Sequence, residues 1–234
     1  AAAAVQESAR TPGATRVMVV GNSVAYQLAI GMKELKTSPP FVVLNDGVLA
    51  CAFPWGVPHS SGDPQQLAQF THCDTNWASA VRTFKPQVVL VILQCCSSQY
   101  RFGNAWLSPC DAKYAALFRR DYEQAVRTLS STGAHVVLTT MPYTSEEVFN
   151  RSARANLDCS NRLRTQLASQ LGLQVVDLFR WTCPDGVGCR INQGDVVLRP
   201  DTVHFAGPGA RVAGRWILEQ ARVIGSSQSA APGG

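Results

Sequence analysis

The sequence is poor in charged residues. Asp, Glu, Lys and Arg make up 16% of its 234 residues, only four of the basic residues are lysine, and the net charge is +5. No block of like charge extends beyond pairs such as Arg119-Arg120. A nucleic-acid footprint needs a clustered basic stripe, so a nucleic-acid partner is not expected. The hydrophobic content of 46% instead indicates a globular domain with a sizeable core.

The sequence also lacks any CxxC pair, a common spacing of zinc ligands. The segment "THCD" (71–74) superficially resembles a metal site, but no second ligand cluster accompanies it, so neither a metal nor another cofactor is expected. An even count of eight cysteines instead favours disulfides and an oxidising compartment. Cys183 and Cys189 enclose a turn-rich loop and are expected to pair. Cys95 and Cys96 are expected to bridge to cysteines elsewhere, with a vicinal disulfide or a redox pair as alternatives.

No signal peptide and no apolar run long enough to cross a bilayer are present in the sequence. The Ala-rich start and the Gly- and Ser-rich end read as flexible segments. We therefore predict a flexible tether over 1–15, a single domain over 16–224 and a flexible tail over 225–234. Because the cysteines indicate export, we expect an extracytoplasmic piece of a larger protein, tethered to the membrane by a segment outside this chain.

Continuous runs of Val, Ile and Leu alternate with helical patterns five times. Such runs are typical of parallel strands buried on both faces. The alternation predicts an α/β fold, a flavodoxin-like three-layer sandwich with a five-stranded parallel sheet. The predicted strands cover 16–21, 41–47, 87–94, 135–142 and 173–179. The predicted helices cover about 23–36, 74–84, 111–131, 151–171 and 208–223.

The segment "RVMVVGNSVAYQLA" (16–29) places Ser23 where the first strand turns into a helix. A serine there is either a helix N-cap or a nucleophile at the carboxyl end of a strand. Near the other end, "RPDTVHF" places Asp201 three residues before His204. Sites in parallel sheets lie beyond the carboxyl ends of the strands. We therefore expect Ser23, His204 and Asp201 to meet there as nucleophile, general base and orienting acid.

Gly-Asn-Ser-Val after the first strand and Asp-x-x-His-Phe before the last helix resemble the SGNH, or GDSL-like, hydrolase superfamily. The ending "RPDTVHFAGPGARVAGRWI" most resembles the extracytoplasmic domains fused to family 3 membrane acyltransferases. The resemblance implies an oxyanion hole built from the amide of Ser23, an amide after the second strand at Ala50, and a side chain after the third strand. Gln94, Cys95 and Cys96 stand where the family has Gly-x-Asn, so no asparagine follows the third strand, and Asn22 stands where the family has an aspartate. One missing oxyanion donor costs about 3–4 kcal/mol, which predicts slow turnover if Gln94 does not donate.

The resemblance also implies a function. It is that of a serine-dependent O-acyltransferase or esterase acting on acyl esters of cell-envelope carbohydrate or glycolipid. The expected partners are an acyl donor, a carbohydrate or glycolipid acceptor, and a membrane acyltransferase domain of the same full-length protein. Two alternatives stay open: a stand-alone secreted esterase or lipase, and a catalytically inactive glycan-binding or docking module.

Overall fold

The secondary structure follows the predicted alternation of strands and helices. The computed structural model describes residues 1–54, 57–58, 71–93 and 99–225. The strands are β1 (Thr15–Gly21), β2 (Phe41–Gly47), β3 (Cys51–Ala52), β4 (Val57–Pro58), β5 (Thr71–His72), β6 (Val88–Ile92), β7 (Tyr100–Phe102), β8 (Ala105–Leu107), β9 (His135–Thr139), β10 (Gln174–Val176), β11 (Asn192–Gln193) and β12 (Val196–Val197). The helices are α1 (Ala2–Arg10), α2 (Ser23–Lys33), α3 (Trp77–Phe84), α4 (Ala112–Leu129), α5 (Ser145–Phe149), α6 (Arg151–Leu171), α7 (Leu178–Thr182) and α8 (Pro208–Gln220).

A five-stranded parallel sheet in the order β10-β9-β6-β1-β2 forms the centre of the fold. The central strand β1 pairs with both neighbours, so that Gly21 at its carboxyl end lies opposite Gly47 of β2 and Ile92 of β6. Residues 17–20 of β1 are completely buried, as a strand covered on both faces requires. The predicted three-layer α/β fold is therefore confirmed. The carboxyl ends of three adjacent strands lie level at one edge of the sheet.

The last two sheet strands are shorter than the sequence predicts. β9 ends at Thr139 and β10 at Val176, whereas the apolar runs extend to 142 and 179. Beyond β10, the side chain of Asp177 accepts a hydrogen bond from the amide of Arg180 at 3.1 Å, which starts α7. A side-chain cap of this kind favours a helix over a continued strand. The apolar residues of the segment alone fit either structure.

Helices cover both faces of the sheet. α2, α8 and the first part of α6 contribute to the core on one face, while α1, α3, α4 and the last part of α6 contribute to the other. α2 and α8 approach so closely that a Cβ at Gly31 would overlap the backbone of Ala210. A Cβ at Gly214 would likewise crowd the side chain of Met32. These small residues allow the helix that begins at Ser23 to pack directly against the helix that follows His204.

The N-terminal segment is helical, and the flexible tether predicted for residues 1–15 is wrong in this respect. Ala4 of α1 is 5% exposed, and Val5 packs against the core. Alanine has the highest helix propensity, and the buried face adds packing that composition alone does not reveal. Of the predicted flexible tail, residues 226–234 lie outside the described part of the chain.

Three disulfides cross-link the described residues: Cys51–Cys73, Cys110–Cys159 and Cys183–Cys189. The predicted Cys183–Cys189 pair is confirmed. The expectation for Cys95 and Cys96 falls on residues that lie outside the described part of the chain. Within the described ranges, no helix is both long and apolar enough to cross a bilayer.

Candidate active site

Ser23 is the first residue of α2, directly beyond the central strand β1. The chain turns here because Gly21 adopts a φ of +140°, and a Cβ at Gly21 would overlap the carbonyl oxygen of Ile92. The helix cap is Asn22, whose side-chain oxygen accepts a hydrogen bond from the amide of Val24 at 3.3 Å. The capping role thus falls to Asn22. The capping interpretation of Ser23 is wrong, and its hydroxyl can serve another partner.

Asp201 and His204 lie in the turn before α8. Oδ1 of Asp201 accepts hydrogen bonds from the amides of Val203 at 2.9 Å and His204 at 2.7 Å, which closes the turn. Oδ2 of Asp201 lies 2.6 Å from Nδ1 of His204. The two carboxylate oxygens therefore have different tasks. One shapes the backbone and the other orients the imidazole.

The hydroxyl oxygen of Ser23 lies 2.8 Å from Nε2 of His204, although 181 positions separate the two residues in sequence. An ionised carboxylate only accepts hydrogen bonds, so Nδ1 of His204 carries the proton that it shares with Asp201. In the neutral imidazole, Nε2 is then the acceptor, and the Ser23 hydroxyl donates to it. The structure thus brings Ser23, His204 and Asp201 together in the order that proton transfer away from a serine requires.

Local hydrogen bonds keep the carboxyl group of Asp201 ionised. Partial burial acts to raise its pKa, but hydrogen bonds from the imidazole and amide of His204 and from the amide of Val203 outweigh burial and lower the pKa below the ordinary 3.8. The side chains of Asp201 and His204 are 52% and 31% exposed. Asp201 is therefore negatively charged at neutral pH, and both side chains can be reached from solvent.

Two amides at the end of β2 are already used by hydrogen bonds within the protein. The amide of Gly47 donates to the side chain of Asn45 at 3.1 Å, and the amide of Val48 donates to the carbonyl of Gly21 at 2.8 Å. Ala50 follows in the left-handed region, with a φ of +50°, and is exposed. Its amide is accordingly a candidate donor to a ligand, and its oxyanion role stays a prediction. Gln94, the third predicted donor, lies outside the described residues.

The "THCD" segment serves a structural role. Cys73 is bonded to Cys51, and His72 lies on β5, which pairs with β3. Among the residues that the structure describes, no three His, Cys, Asp or Glu side chains are grouped to hold a metal ion.

Sequence reasoning missed the residues that anchor the Asp201–His204 turn. Arg199 is 1% exposed and donates to the carbonyl of Tyr143, while Thr202 accepts a hydrogen bond from the amide of Ser145. Bonds between positions 56 or 57 apart leave no periodic pattern in the sequence. The one available signal was an arginine within the otherwise uncharged stretch "VVLRP".

Comparison with known proteins finds similarity in structure alone. No family model and no curated protein matches this chain. A lipase/acylhydrolase from Enterococcus faecalis superposes with a TM-score of 0.56 at 16% identity, covering 91% of this chain and 99% of that one. A catalytic mutant of an acetylxylan esterase from Geobacillus stearothermophilus gives 0.54 at 14% identity, covering 93% and 100%. The periplasmic domain of a lipopolysaccharide acetyltransferase from Salmonella serovar Paratyphi A gives 0.58 at 12% identity, covering 94% and 88%.

The matched structures are esterases, acylhydrolases and an acetyltransferase domain that share one architecture. This chain has the SGNH-hydrolase fold. In this chain a serine follows the first sheet strand and an Asp-x-x-His motif precedes the last helix, as the sequence resemblance implies. At these identities the likeness establishes the fold, and any proposal about chemistry rests on the residues of this chain.

Proposed function

We propose that this SGNH domain is a serine-dependent O-acyltransferase or esterase acting on acyl esters of cell-envelope carbohydrate or glycolipid. The observation that carries the proposal is the hydrogen-bonded chain from Ser23 through His204 to Asp201, with links of 2.8 and 2.6 Å. Helix capping does not require this arrangement, because Asn22 already caps α2. Acyl transfer does require it, since a serine hydroxyl is a weak nucleophile until an adjacent base removes its proton.

The first half-reaction forms an acyl-enzyme. The Ser23 oxygen attacks the carbonyl carbon of the acyl donor, and its proton passes to Nε2 of His204. Asp201 stabilises the resulting imidazolium and holds its ring in place. The tetrahedral intermediate then breaks its bond to the leaving alcohol, which takes the proton from His204. The acyl group remains on Ser23 as an ester.

The second half-reaction repeats these steps with an acceptor. A carbohydrate hydroxyl or water gives its proton to His204 and attacks the carbonyl carbon of the acyl-enzyme. His204 returns the proton to the Ser23 oxygen as the acyl ester breaks. Transfer and hydrolysis therefore differ only in which acceptor reaches the acyl-enzyme.

The negative charge on the substrate carbonyl oxygen needs donors aimed at it. The amide of Ser23 lies in the first turn of α2, where amides lack helical partners and the helix dipole is positive. The amide of Ala50 is the proposed second donor, and the side chain of Gln94 the third. Each such donor contributes about 3–4 kcal/mol to the transition state.

Substrate class and location are the finer parts of the proposal. An acetylxylan esterase and a lipopolysaccharide acetyltransferase domain among the similar structures support a carbohydrate ester as substrate. The three disulfides and the periplasmic origin of one similar domain support an extracytoplasmic position. In this proposal, a membrane acyltransferase domain of the same full-length protein supplies the acyl donor and tethers the SGNH domain.

A fluorophosphonate probe tests the proposal, because it phosphonylates only serines that are activated as nucleophiles. The wild-type domain should be labelled at Ser23 and should hydrolyse p-nitrophenyl acetate. Ser23→Ala should abolish both, and His204→Ala should lower the rate about a thousandfold or more. Ser131→Ala is the matched control, since Ser131 is exposed beyond the end of α4. Absence of label on folded wild-type protein would reject the proposal.

The same assay separates the alternatives. Fast hydrolysis of p-nitrophenyl acetate favours a stand-alone esterase, for which the similarity to acetylxylan esterase is the specific support. Slow hydrolysis with retained labelling, accelerated by an added carbohydrate acceptor, favours the transferase. An inactive glycan-binding module predicts no labelling and unchanged glycan affinity in His204→Ala.

A further inference from the structure

The turn that carries Asp201 and His204 is attached to the segment following β9 by a buried arginine. Arg199 is 1% exposed, and its Nη1 donates to the carbonyl oxygen of Tyr143 at 2.8 Å. Its guanidinium carbon also lies 5.9 Å from the ring centre of Phe205, the residue after His204. Arg199 therefore connects two parts of the structure. It bonds to Tyr143 in the segment after β9, and it contacts Phe205 next to His204.

A second attachment is made by Thr202, which lies between Asp201 and His204 in the sequence. Its φ is +66°, a left-handed conformation that β-branched residues rarely adopt. Oγ1 of Thr202 accepts a hydrogen bond from the amide of Ser145 at 3.0 Å and lies 3.1 Å from the Ser145 hydroxyl. Backbone conformations of this kind persist where surrounding bonds hold them, often at functional sites.

The segment that receives these bonds is itself fixed. The Tyr143 hydroxyl donates to Asp158 at 2.5 Å, and the Tyr143 ring packs edge-on against Phe179. Next to it, the carboxylate of Glu147 accepts hydrogen bonds from the amide and hydroxyl of Thr144, which forms a capping box at the start of α5. Arg199 and Thr202 are thus joined to a rigid part of the domain.

Charge adds to the geometry. Burial lowers the pKa of Arg199 to about 10, while the neighbouring carboxylates of Glu147 and Asp201 act to raise it. Arg199 is therefore charged at neutral pH and attracts the carboxylate that orients His204.

We propose that Arg199 and Thr202 are positioning residues, which hold the Asp201–His204 turn against the 143–145 segment so that His204 stays within reach of Ser23. The inference rests on the proposed function. Ser23 is carried by β1 and α2, and the imidazole is carried by the turn before α8, so the distance between the two side chains depends in part on how that turn is anchored. A displacement of about 1 Å at a reacting centre can lower the rate about a hundredfold.

Two pairs of variants test this inference. Arg199→Met removes the buried donor and charge at similar length, while Arg199→Lys keeps the charge. Thr202→Val removes the acceptor at constant shape, while Thr202→Ser keeps a hydroxyl. Arg211→Met is the matched control, because Arg211 lies on α8 but makes a surface ion pair with Glu34.

The measurements are kcat and KM per fluorophosphonate-titrated active site, the rate of Ser23 labelling, and thermal stability. Arg199→Met and Thr202→Val should lower kcat and labelling rate about 10- to 100-fold with KM changed less than about threefold. Thr202→Ser should restore most of the rate, and Arg211→Met should match the wild type. Should Arg199→Met fail to fold, the Thr202 pair decides.

Folded Thr202→Val or Arg199→Met protein that is labelled at the wild-type rate would overturn the inference and leave the proposed function intact. Equal rates in Thr202→Val and Thr202→Ser would also overturn it. Absence of labelling in the wild type would instead reject the proposed function, together with the inference that rests on it.

Discussion

Asn22 caps the helix on which Ser23 stands, through a 3.3 Å hydrogen bond from the amide of Val24 to the Asn22 side chain. This relationship explains why asparagine is suited to the position before the serine. The Asn22 side chain satisfies an amide in the first turn of α2 that has no partner within the helix. The departure from the aspartate of the resembling family therefore retains the capping function, since both side chains are good N-caps.

The Asn22 cap should contribute measurably to the free energy of unfolding. Asn22→Ala should lower the free energy of unfolding by about 1 kcal/mol, because it leaves the Val24 amide without its side-chain acceptor. Asn22→Asp is the matched control and should change stability by less than about 0.5 kcal/mol. Urea denaturation followed by circular dichroism measures both. Equal losses in the two variants would contradict the capping role.

Activity should fall on acidification, because protonated His204 cannot accept the proton of Ser23. The pKa of Asp201 lies below the ordinary 3.8, so Asp201 stays ionised throughout this loss of activity. A plot of log kcat/KM against pH, measured down to about pH 4, should therefore decline towards acidic pH. A profile that is flat down to that pH would remove His204 from the role of base.

Ionisation of Asp46 should oppose folding at neutral pH and no longer do so at acidic pH. Burial raises the pKa of its carboxyl from 3.8 to about 6, partly offset by the positive amino group of Ala1. Because the folded state prefers the protonated carboxyl, ionisation of Asp46 destabilises the fold. This destabilisation is absent below the unfolded pKa of 3.8, grows as the pH rises from there and is complete above about pH 6. Oδ2 of Asp46 is buried without a hydrogen-bond partner among the described residues.

Asp46→Asn should accordingly stabilise the protein at pH 7.5 by about 1–2 kcal/mol, after allowance for the solvent that reaches the carboxyl, and much less at pH 4. Thermal unfolding of wild type and variant at both pH values gives the comparison. Asp195→Asn, at an exposed position, controls for the loss of one negative charge. The same change in midpoint at both pH values would contradict the titration of Asp46.

The disulfides predict both a thiol count and an order of stabilities. Non-reduced protein should show at most two alkylatable thiols of eight by mass spectrometry, because six cysteines are bridged.

Replacing Cys110 and Cys159 by serine opens a loop with a separation of 49 residues, against 6 for Cys183 and Cys189. Loop entropy predicts losses of about 4 and about 2 kcal/mol respectively. A larger loss from the short loop would contradict an entropic origin.

Sequence patterns predicted the sheet well because burial on both faces imposes a composition on each strand. The apolar run before Ser23 became the central strand, and the turn before α8 brought His204 to the same edge. The prediction failed where a local hydrogen bond decided between strand and helix. The side chain of Asp177 caps α7, so the last residues of an apolar run form a helix. It also failed for α1, where burial of Ala4 depends on residues far along the chain.

The anchoring of the Asp201–His204 turn could not be predicted from the sequence for a different reason. Arg199 bonds to a main-chain carbonyl, and any residue at position 143 presents a carbonyl. The residue type at position 143 therefore does not indicate that its carbonyl accepts this hydrogen bond. Only folding reveals that the carbonyl of Tyr143 lies beneath the turn.

The close approach of Gly31 and Ala210 bears on the distance between Ser23 and His204, although both residues lie away from those two side chains. Gly31 lies on α2 about two helical turns from Ser23, the proposed nucleophile. Ala210 lies on α8, which begins shortly after His204, the proposed base. A methyl group added at Gly31 would push those helices apart and carry the serine away from the imidazole. The distance between the proposed nucleophile and the proposed base thus depends partly on a glycine at the contact between two helices.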